Sequence, residues 1–262
     1  MSFFKTVWTN RLLAIKLGKS NFKNRFANTS LGTIWGFAQP FVFMITYVIV
    51  FQYILKSNSS GEYPYVVWFL PGMAMWMFLN DAILNASNSI RGYSYLVKKV
   101  VFPVDIIPIM SLTSSSIIGL FLICIAIGAS MIYGFFPNLL IVLYMIFAAF
   151  CFIIAFTRFT SALTTLVPDF SQLLNIVMQL FMWFTPIVWN MSMVGGTIGM
   201  ILKAFPFTYI IEGLRQAFLP TSTIITESYG VYTIIFWAIT IIVFLWGNAI
   251  FNKSKKDFAD VL

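Results

Sequence analysis

Residues 139–157 read LLIVLYMIFAAFCFIIAFT, a run without a single charged side chain. As a helix the run is about 28 Å long, close to the roughly 30 Å of a bilayer's hydrocarbon core. A helix of this length on a soluble protein keeps a polar face toward water, and this one has none. Comparable runs fall at Ile34–Leu55, Val66–Asn85, Ile106–Tyr133, Leu173–Trp189 and Tyr229–Phe251. Over the full 262 residues 60% are hydrophobic and 9% charged, against about a quarter charged in a soluble domain. The fold class is therefore all-α: a polytopic membrane protein with six transmembrane helices.

Six spans place both termini on one side, and the basic residues say which. Lys5, Arg11, Lys16, Lys19, Lys23 and Arg25 precede the first span, Arg91, Lys98 and Lys99 follow the second, Arg158 ends the fourth, and Lys253, Lys255 and Lys256 follow the sixth. Only Lys56, Lys203 and Arg215 fall on the other face. The positive-inside rule then predicts cytoplasmic termini and a cytoplasmic loop around Arg91–Lys99. The net charge of +8 faces anionic headgroups and not nucleic acid.

Two segments outside the spans carry their own pattern. Residues 1–33 precede the six-span domain, 34–262. Phe4, Trp8, Leu12, Ile15, Phe22 and Phe26 recur there at helical spacing between basic flanks, which predicts an interfacial amphipathic helix, broken near Gly18. Met1–Phe4 has no secretory signal pattern, so no processing is expected. Asn190–Ser228, on the outer face between spans five and six, is too apolar for a solvated loop and too interrupted for a span. Helical pieces are expected at Gly196–Ala204 and Thr208–Leu219, forming a re-entrant hairpin. Irregular backbone at that depth must be buried in protein or line a cavity, so the hairpin is either part of a pathway or a cap.

Much chemistry is excluded. The chain has no histidine and two cysteines, Cys124 and Cys151, each inside an apolar run. That removes zinc sites, His-based acid–base catalysis and disulfide frameworks. Gly18-Lys19-Ser20 resembles the end of a phosphate-binding loop, but Leu13 stands where its first glycine is required. Asp81 is the one carboxylate well inside a span, too little for an enzyme or for a proton-coupled carrier. The driving force is expected from another chain. Asp81 itself is expected to pair with a basic residue such as Arg91, to hydrogen-bond to Asn85, or to serve a pathway. Arg158 is expected to anchor its span at the headgroups, and Ser111–Ser116 to hydrogen-bond back to its own helix or to a neighbour.

Trp and Tyr at span ends, Trp35 and Trp68 among them, suit interfacial belts. Phe181, Trp183, Phe184 and Trp189 are denser than a belt requires. Aromatic faces can stack on sugar rings without fixing them, so Phe181, Phe184 and Trp189 are candidates for a substrate path, with lipid-facing or core packing as the alternative. In the hairpin, Ile210, Ile211, Glu212, Leu214 and Arg215 are candidates for an outer gate, with Glu212 and Arg215, three apart on one helical face, able to pair within the hairpin or across two copies, weakly if exposed.

Several stretches together resemble the membrane subunit of the polysaccharide and polyol-phosphate export branch of the ABC-2 type transporters, which handles O-antigen, capsule and wall teichoic acid. They are Arg25-Phe-Ala-Asn-Thr-Ser-Leu31-Gly32-Thr-Ile-Trp35 with Pro40, Gly72 and Trp76, Lys98 and Lys99 before Phe102-Pro103, Thr185-Pro186-Ile187, Pro206 and Arg215, and Asp257-Phe258-Ala259-Asp260. The chain departs from the pattern at Val167-Pro168-Asp169, where the family often has a basic residue before the Asp. The resemblance implies a permease, not an enzyme, working as a homodimer on two copies of a separate ATP-binding subunit in the bacterial inner membrane. ATP and Mg²⁺ would bind that partner, with no cofactor on this chain, and a lipid-linked glycan would be the substrate. It further implies an ATPase-coupling helix at Ser94, Tyr95, Leu96, Val97, Lys98, Lys99, Val100 and Val101, and gate helices in the outer hairpin. The alternatives are an ABC-2 type permease for a small molecule or drug and, more distantly, a lipid-modifying enzyme.

Overall fold

A computed structural model describes residues 3–54, 63–98, 102–219 and 229–262. They form α1 (Phe3–Thr9), α2 (Arg11–Arg25), α3 (Ile34–Val48), α4 (Tyr65–Gly92), α5 (Ser94–Val97), α6 (Ile106–Ile132), α7 (Leu139–Leu166), α8 (Phe170–Phe184), α9 (Gly196–Ala204), α10 (Pro206–Phe218), α11 (Tyr229–Ser254) and α12 (Phe258–Val261). The chain is an all-α polytopic membrane protein. Among the described residues, five helices are long and apolar enough to cross a bilayer: α3 with its π-helical continuation to Ile54, then α4, α6, α7 and α11.

The uncharged run that opened the sequence reading begins α7. Asn138 caps it, its Oδ1 accepting from the backbone N–H of Leu140 at 3.1 Å and of Ile141 at 3.4 Å, which satisfies two of the orphan donors at the helix start. The helix runs on to Leu166, nine residues past the expected end, because Arg158 is neutralised inside the protein.

The expected fifth span, Leu173–Trp189, is shorter than its apolar run. α8 stops at Phe184, since Pro186 lacks an N–H and biases Thr185 toward extended backbone, and Thr185 is extended. Fifteen residues make only about 22 Å of helix. Non-helical backbone from Thr185 to Asn190 carries the chain onward, and α9 and α10 follow with a bend of 83° between them. Their positions match the two helical pieces read from the sequence. Arg215 of α10 bonds to Trp68 O in the first turn of α4 and to Pro186 O beyond α8, while Ala217 O accepts from Asn138 N ahead of α7. The end of α10 therefore lies beside the starts of α4 and α7 and the chain just beyond α8.

α4 is the hub, packing against α6, α7, α10, α3 and α8. α3 is the opposite case. Of its most apolar 18-residue window 11% is buried within the chain, so most of it is left for lipid or another polypeptide. α2 lies against α6 through Ala14, Gly18, Asn21 and Phe22, whereas Phe4, Trp8, Leu12 and Ile15 are exposed. Gly18 does not break the helix as expected. A Cβ there would come within 2.6 Å of Thr113 Cβ, so glycine lets α2 approach α6, and the break falls at Asn10 instead.

Candidate functional site

Three helix faces converge on a cavity of about 370 Å³. α3 contributes Trp35, Gly36, Gln39, Phe43 and Tyr47, α4 contributes Met73, Trp76, Met77, Asn80 and Asp81, and α6 contributes Ser115, Ile118, Gly119 and Leu122. Each set recurs at three or four residues, as one helical face must. Met182 closes the α8 side. From Gly36 to Tyr47 the wall extends roughly 16 Å along α3. Polarity is graded along it. Arg25, Asp81, Asn80 and Ser115 gather toward the end where α3 begins, and Phe43, Tyr47, Met73 and Trp76 toward the other.

At the polar end Arg25 makes a two-pronged pair with Asp81, Nη2 to Oδ1 at 2.7 Å and Nη1 to Oδ2 at 3.1 Å. Asn85 Nδ2 donates to Asp81 Oδ1 at 2.7 Å, as expected. Arg91 is not the partner, for ten residues along α4 separate the two by about 15 Å, and Arg91 instead donates to Thr164 O at 3.4 Å. Arg25 and Asp81 remain 24% and 30% exposed, so the pair is reachable from outside. Ser115 Oγ is buried without a hydrogen-bond partner among the described residues. Ser114 Oγ is likewise buried without a partner among the described residues, whereas Ser116 Oγ donates to Leu112 O at 2.7 Å and Ser111 Oγ accepts from Asn21 Nδ2 at 3.4 Å, as expected.

A second charged cluster closes the opposite face. Arg215 donates from Nε to Trp68 O at 2.9 Å, from Nη1 to Pro186 O at 3.0 Å and from Nη2 to Ile187 O at 3.1 Å. Nη1 also bonds to Glu212 Oε1, and the guanidinium lies 3.9 Å from the Trp68 ring centroid. Glu212 and Arg215 thus pair within the hairpin, and the pair is buried, not exposed and weak, with both side chains at or below 8% exposure. The reason is local: Pro186 ends α8 and leaves buried carbonyls beyond it without helical donors, and Arg215 supplies them. α4 admits the guanidinium through Gly72, where a Cβ would lie 2.6 Å from Arg215 Nη2. Ile210, Ile211 and Leu214 are buried, which makes α10 a packed element of the bundle.

The third cluster joins the termini to the bundle. Arg158 is 1% exposed, not a headgroup anchor. Its Nη1 donates to Asp105 Oδ1 at 2.7 Å and its Nη2 to Asn248 Oδ1 at 2.6 Å, with Asn252 Oδ1 at 3.4 Å. Phe251 and Phe3 cover its faces at 3.9 and 4.4 Å, and Lys255 Nζ bonds to the other Asp105 oxygen. Burial alone would push the Asp105 carboxyl up, but the hydrogen bonds and charges of Lys255 and Arg158 outweigh it and hold the group below the usual carboxylate value.

Asp105 follows closely on the expected coupling element. Of that element Ser94, Tyr95, Leu96 and Val97 form α5, and Lys99, Val100 and Val101 lie outside the described residues. Leu96 and Val97 pack into a cluster with Phe251 and Phe258, while Tyr95 and Lys98 point outward. Tyr93 Oη donates to Asn21 Oδ1 at 2.8 Å, so α2, α5 and α12 brace one another.

The three path candidates do not meet at one surface. Phe181 packs edge-on against Phe205, centroids 4.9 Å apart, and against Phe207. Phe184 is exposed, and Trp189 Nε1 donates to Trp183 O at 3.0 Å. The aromatic side chains on the cavity are instead Phe26, Trp35, Phe43, Tyr47, Trp76 and Phe78. The sequence signal for them was the i, i+3/i+4 recurrence of Trp35, Gln39 and Phe43 opposite Trp76 and Asn80, which belt assignment of Trp35 obscured.

Comparison with known proteins follows the same outline. Residues 14–219 match the ABC-2 type transporter family. Two O-antigen export system permease proteins RfbA of Klebsiella pneumoniae are 24% and 23% identical to the chain over 257 residues, 95% of each partner in the alignment. RfbA of Myxococcus xanthus is 20% identical over 264 residues, covering 98% of this chain and 97% of its own. A match over most of the sequence, on a bundle of long apolar helices with the bent α9–α10 pair, establishes that the chain belongs to the ABC-2 type transporter family.

Proposed function

We propose that the chain is the membrane permease of an ATP-driven exporter that moves a lipid-linked polysaccharide of the O-antigen class across the bacterial cytoplasmic membrane. The observation that carries this reading is the end-to-end similarity to proteins named O-antigen export system permeases, 95% of both chains in the first case. The half-open, aromatic-walled cavity supports it, because stacking faces hold a sugar loosely enough to let it pass. ATP hydrolysis belongs to a separate subunit, seated against α5 and the residues after it, with both termini cytoplasmic. The uncovered face of α3, together with exposed Trp183 and Phe184 on α8, suits a second copy, and Phe184 then borders the path between the two. The outer hairpin closes the far end through α9, whose Ile198, Met200 and Ile201 are exposed.

Deleting the gene in its own host tests the reading. Surface polysaccharide should disappear while finished glycan accumulates on its lipid carrier inside the cell, and the intact gene should reverse both. Normal surface polysaccharide in the deletion strain contradicts it.

A further inference from the structure

We propose that the Arg25 end of the cavity is a binding subsite for a phosphate ester, with the Asp81 carboxylate occupying the place of the phosphate until a substrate arrives. The proposal rests on the export reading, which calls for a lipid-linked, phosphorylated substrate without saying where its charged group sits.

The guanidinium fork pairs as readily with phosphate oxygens as with a carboxylate, and two parallel N–H···O bonds are its preferred mode with either. Arg25 already shows that mode toward Asp81 at 2.7 and 3.1 Å. Arg25 and Asp81 are 24% and 30% exposed and line the cavity, so an incoming anion can reach the guanidinium. Asn85 still holds Asp81 Oδ1 at 2.7 Å, so the carboxylate keeps a donor when Arg25 lets go.

The surroundings fit the remainder of such a ligand. Ser115 presents a buried hydroxyl with no partner among the described residues, a group whose cost is removed when something bonds to it. The amides of Asn80 and Gln39 line the same cavity and suit sugar hydroxyls, and Trp35 and Trp76 offer ring faces. A cavity of about 370 Å³ takes one phosphorylated sugar unit, not a polymer, so the subsite reads the anchored end of the chain.

The released Asp81 has a second consequence. A phosphate seated on Arg25 faces a nearby like charge, which keeps binding weak enough for a transporter that must also let go. Neutralising Asp81 therefore tightens binding and slows release, whereas neutralising Arg25 weakens binding.

The test uses the full chain together with its ATPase subunit in phosphatidylcholine nanodiscs. Binding of radiolabelled geranylgeranyl diphosphate is measured by equilibrium dialysis, with inorganic diphosphate and phosphatidylglycerol as competitors. Arg25→Gln should weaken binding at least tenfold and Asp81→Asn should tighten it severalfold while lowering export. If Asp81→Asn weakens binding as Arg25→Gln does, in protein that still co-purifies with the ATPase subunit, the pair is a structural staple and the proposal falls. It falls equally if neither variant moves the affinity. Inorganic diphosphate binding as tightly as the prenyl compound would overturn the lipid-linked assignment, and equal competition by phosphatidylglycerol would reduce the site to a generic anionic-lipid contact and overturn it too. The export reading fails separately, if wild-type protein binds as described and moves no lipid-linked polysaccharide.

Discussion

Replacing Arg215 with Met removes four hydrogen bonds and a cation from a buried site. Glu212 would be left as a carboxylate at 8% exposure without a counter-charge, and the carbonyls of Trp68, Pro186 and Ile187 would lose a donor. Breaking a buried pair by removing one partner costs about 3–5 kcal/mol, a large share of the ~5–15 kcal/mol that keeps a domain folded. The expected increase in the unfolding constant is on the order of 10²–10⁴. Glu212→Gln is milder, because Arg215 keeps its three carbonyls and the Trp68 face, and should cost about 1.5–3 kcal/mol. In Arg215→Met/Glu212→Gln no unpaired charge remains, so the double variant should be more stable than Arg215→Met alone. Thermal unfolding followed by fluorescence-detected size exclusion in detergent orders the three. If Arg215→Met costs under about 1 kcal/mol, as surface pairs do, the account of Arg215 as donor to the interrupted backbone is refuted.

Other consequences follow from the same geometry. Asp105 has a carboxyl held below its usual value, so it stabilises the fold above the unfolded value near ~4 and loses that contribution as pH falls through the lower folded value; Asp105→Asn should destabilise the protein at pH 7 and flatten the acid limb of its stability curve. Gly18→Leu should lift α2 from α6 against Thr113, costing about 1–3 kcal/mol and raising proteolysis between residues 10 and 33. Cysteines at Ile198 or Ile201, cross-linked between two copies, should stop export reversibly with the complex intact, and continued export would remove α9 from any gating role.

Where local pattern determines structure, the sequence was legible. Uncharged length identified α7, and the paired interruptions around Gly196 and Pro206 marked α9 and α10 almost to the residue. Long-range pairing was not legible, since Arg25 finds Asp81 across 56 positions and Arg158 finds Asp105 across 53. Counting basic residues by segment treats Arg25 and Arg158 as headgroup contacts, although one lines a cavity and the other is enclosed by Phe3 and Phe251. Arg215 was within reach of physical reasoning. Thr185-Pro186 predicts a broken helix, a broken helix at depth needs donors, and an Arg in an apolar amphipathic segment is a fitting source of several. Which aromatic residues of α8 share a surface was not legible either, because density along a helix does not reveal which face another helix covers.

The central claim is transport of a lipid-linked polysaccharide by this chain, and reconstitution measures it directly. The chain and its ATPase subunit are placed in proteoliposomes carrying the host's lipid-linked glycan on the outer leaflet, with ATP added outside, and protection of the glycan from an external glycosidase is followed over time. The account predicts ATP-dependent protection that is lost when the ATPase cannot hydrolyse ATP. Protection that never rises above the ATP-free level, in vesicles whose ATPase is active, would contradict it.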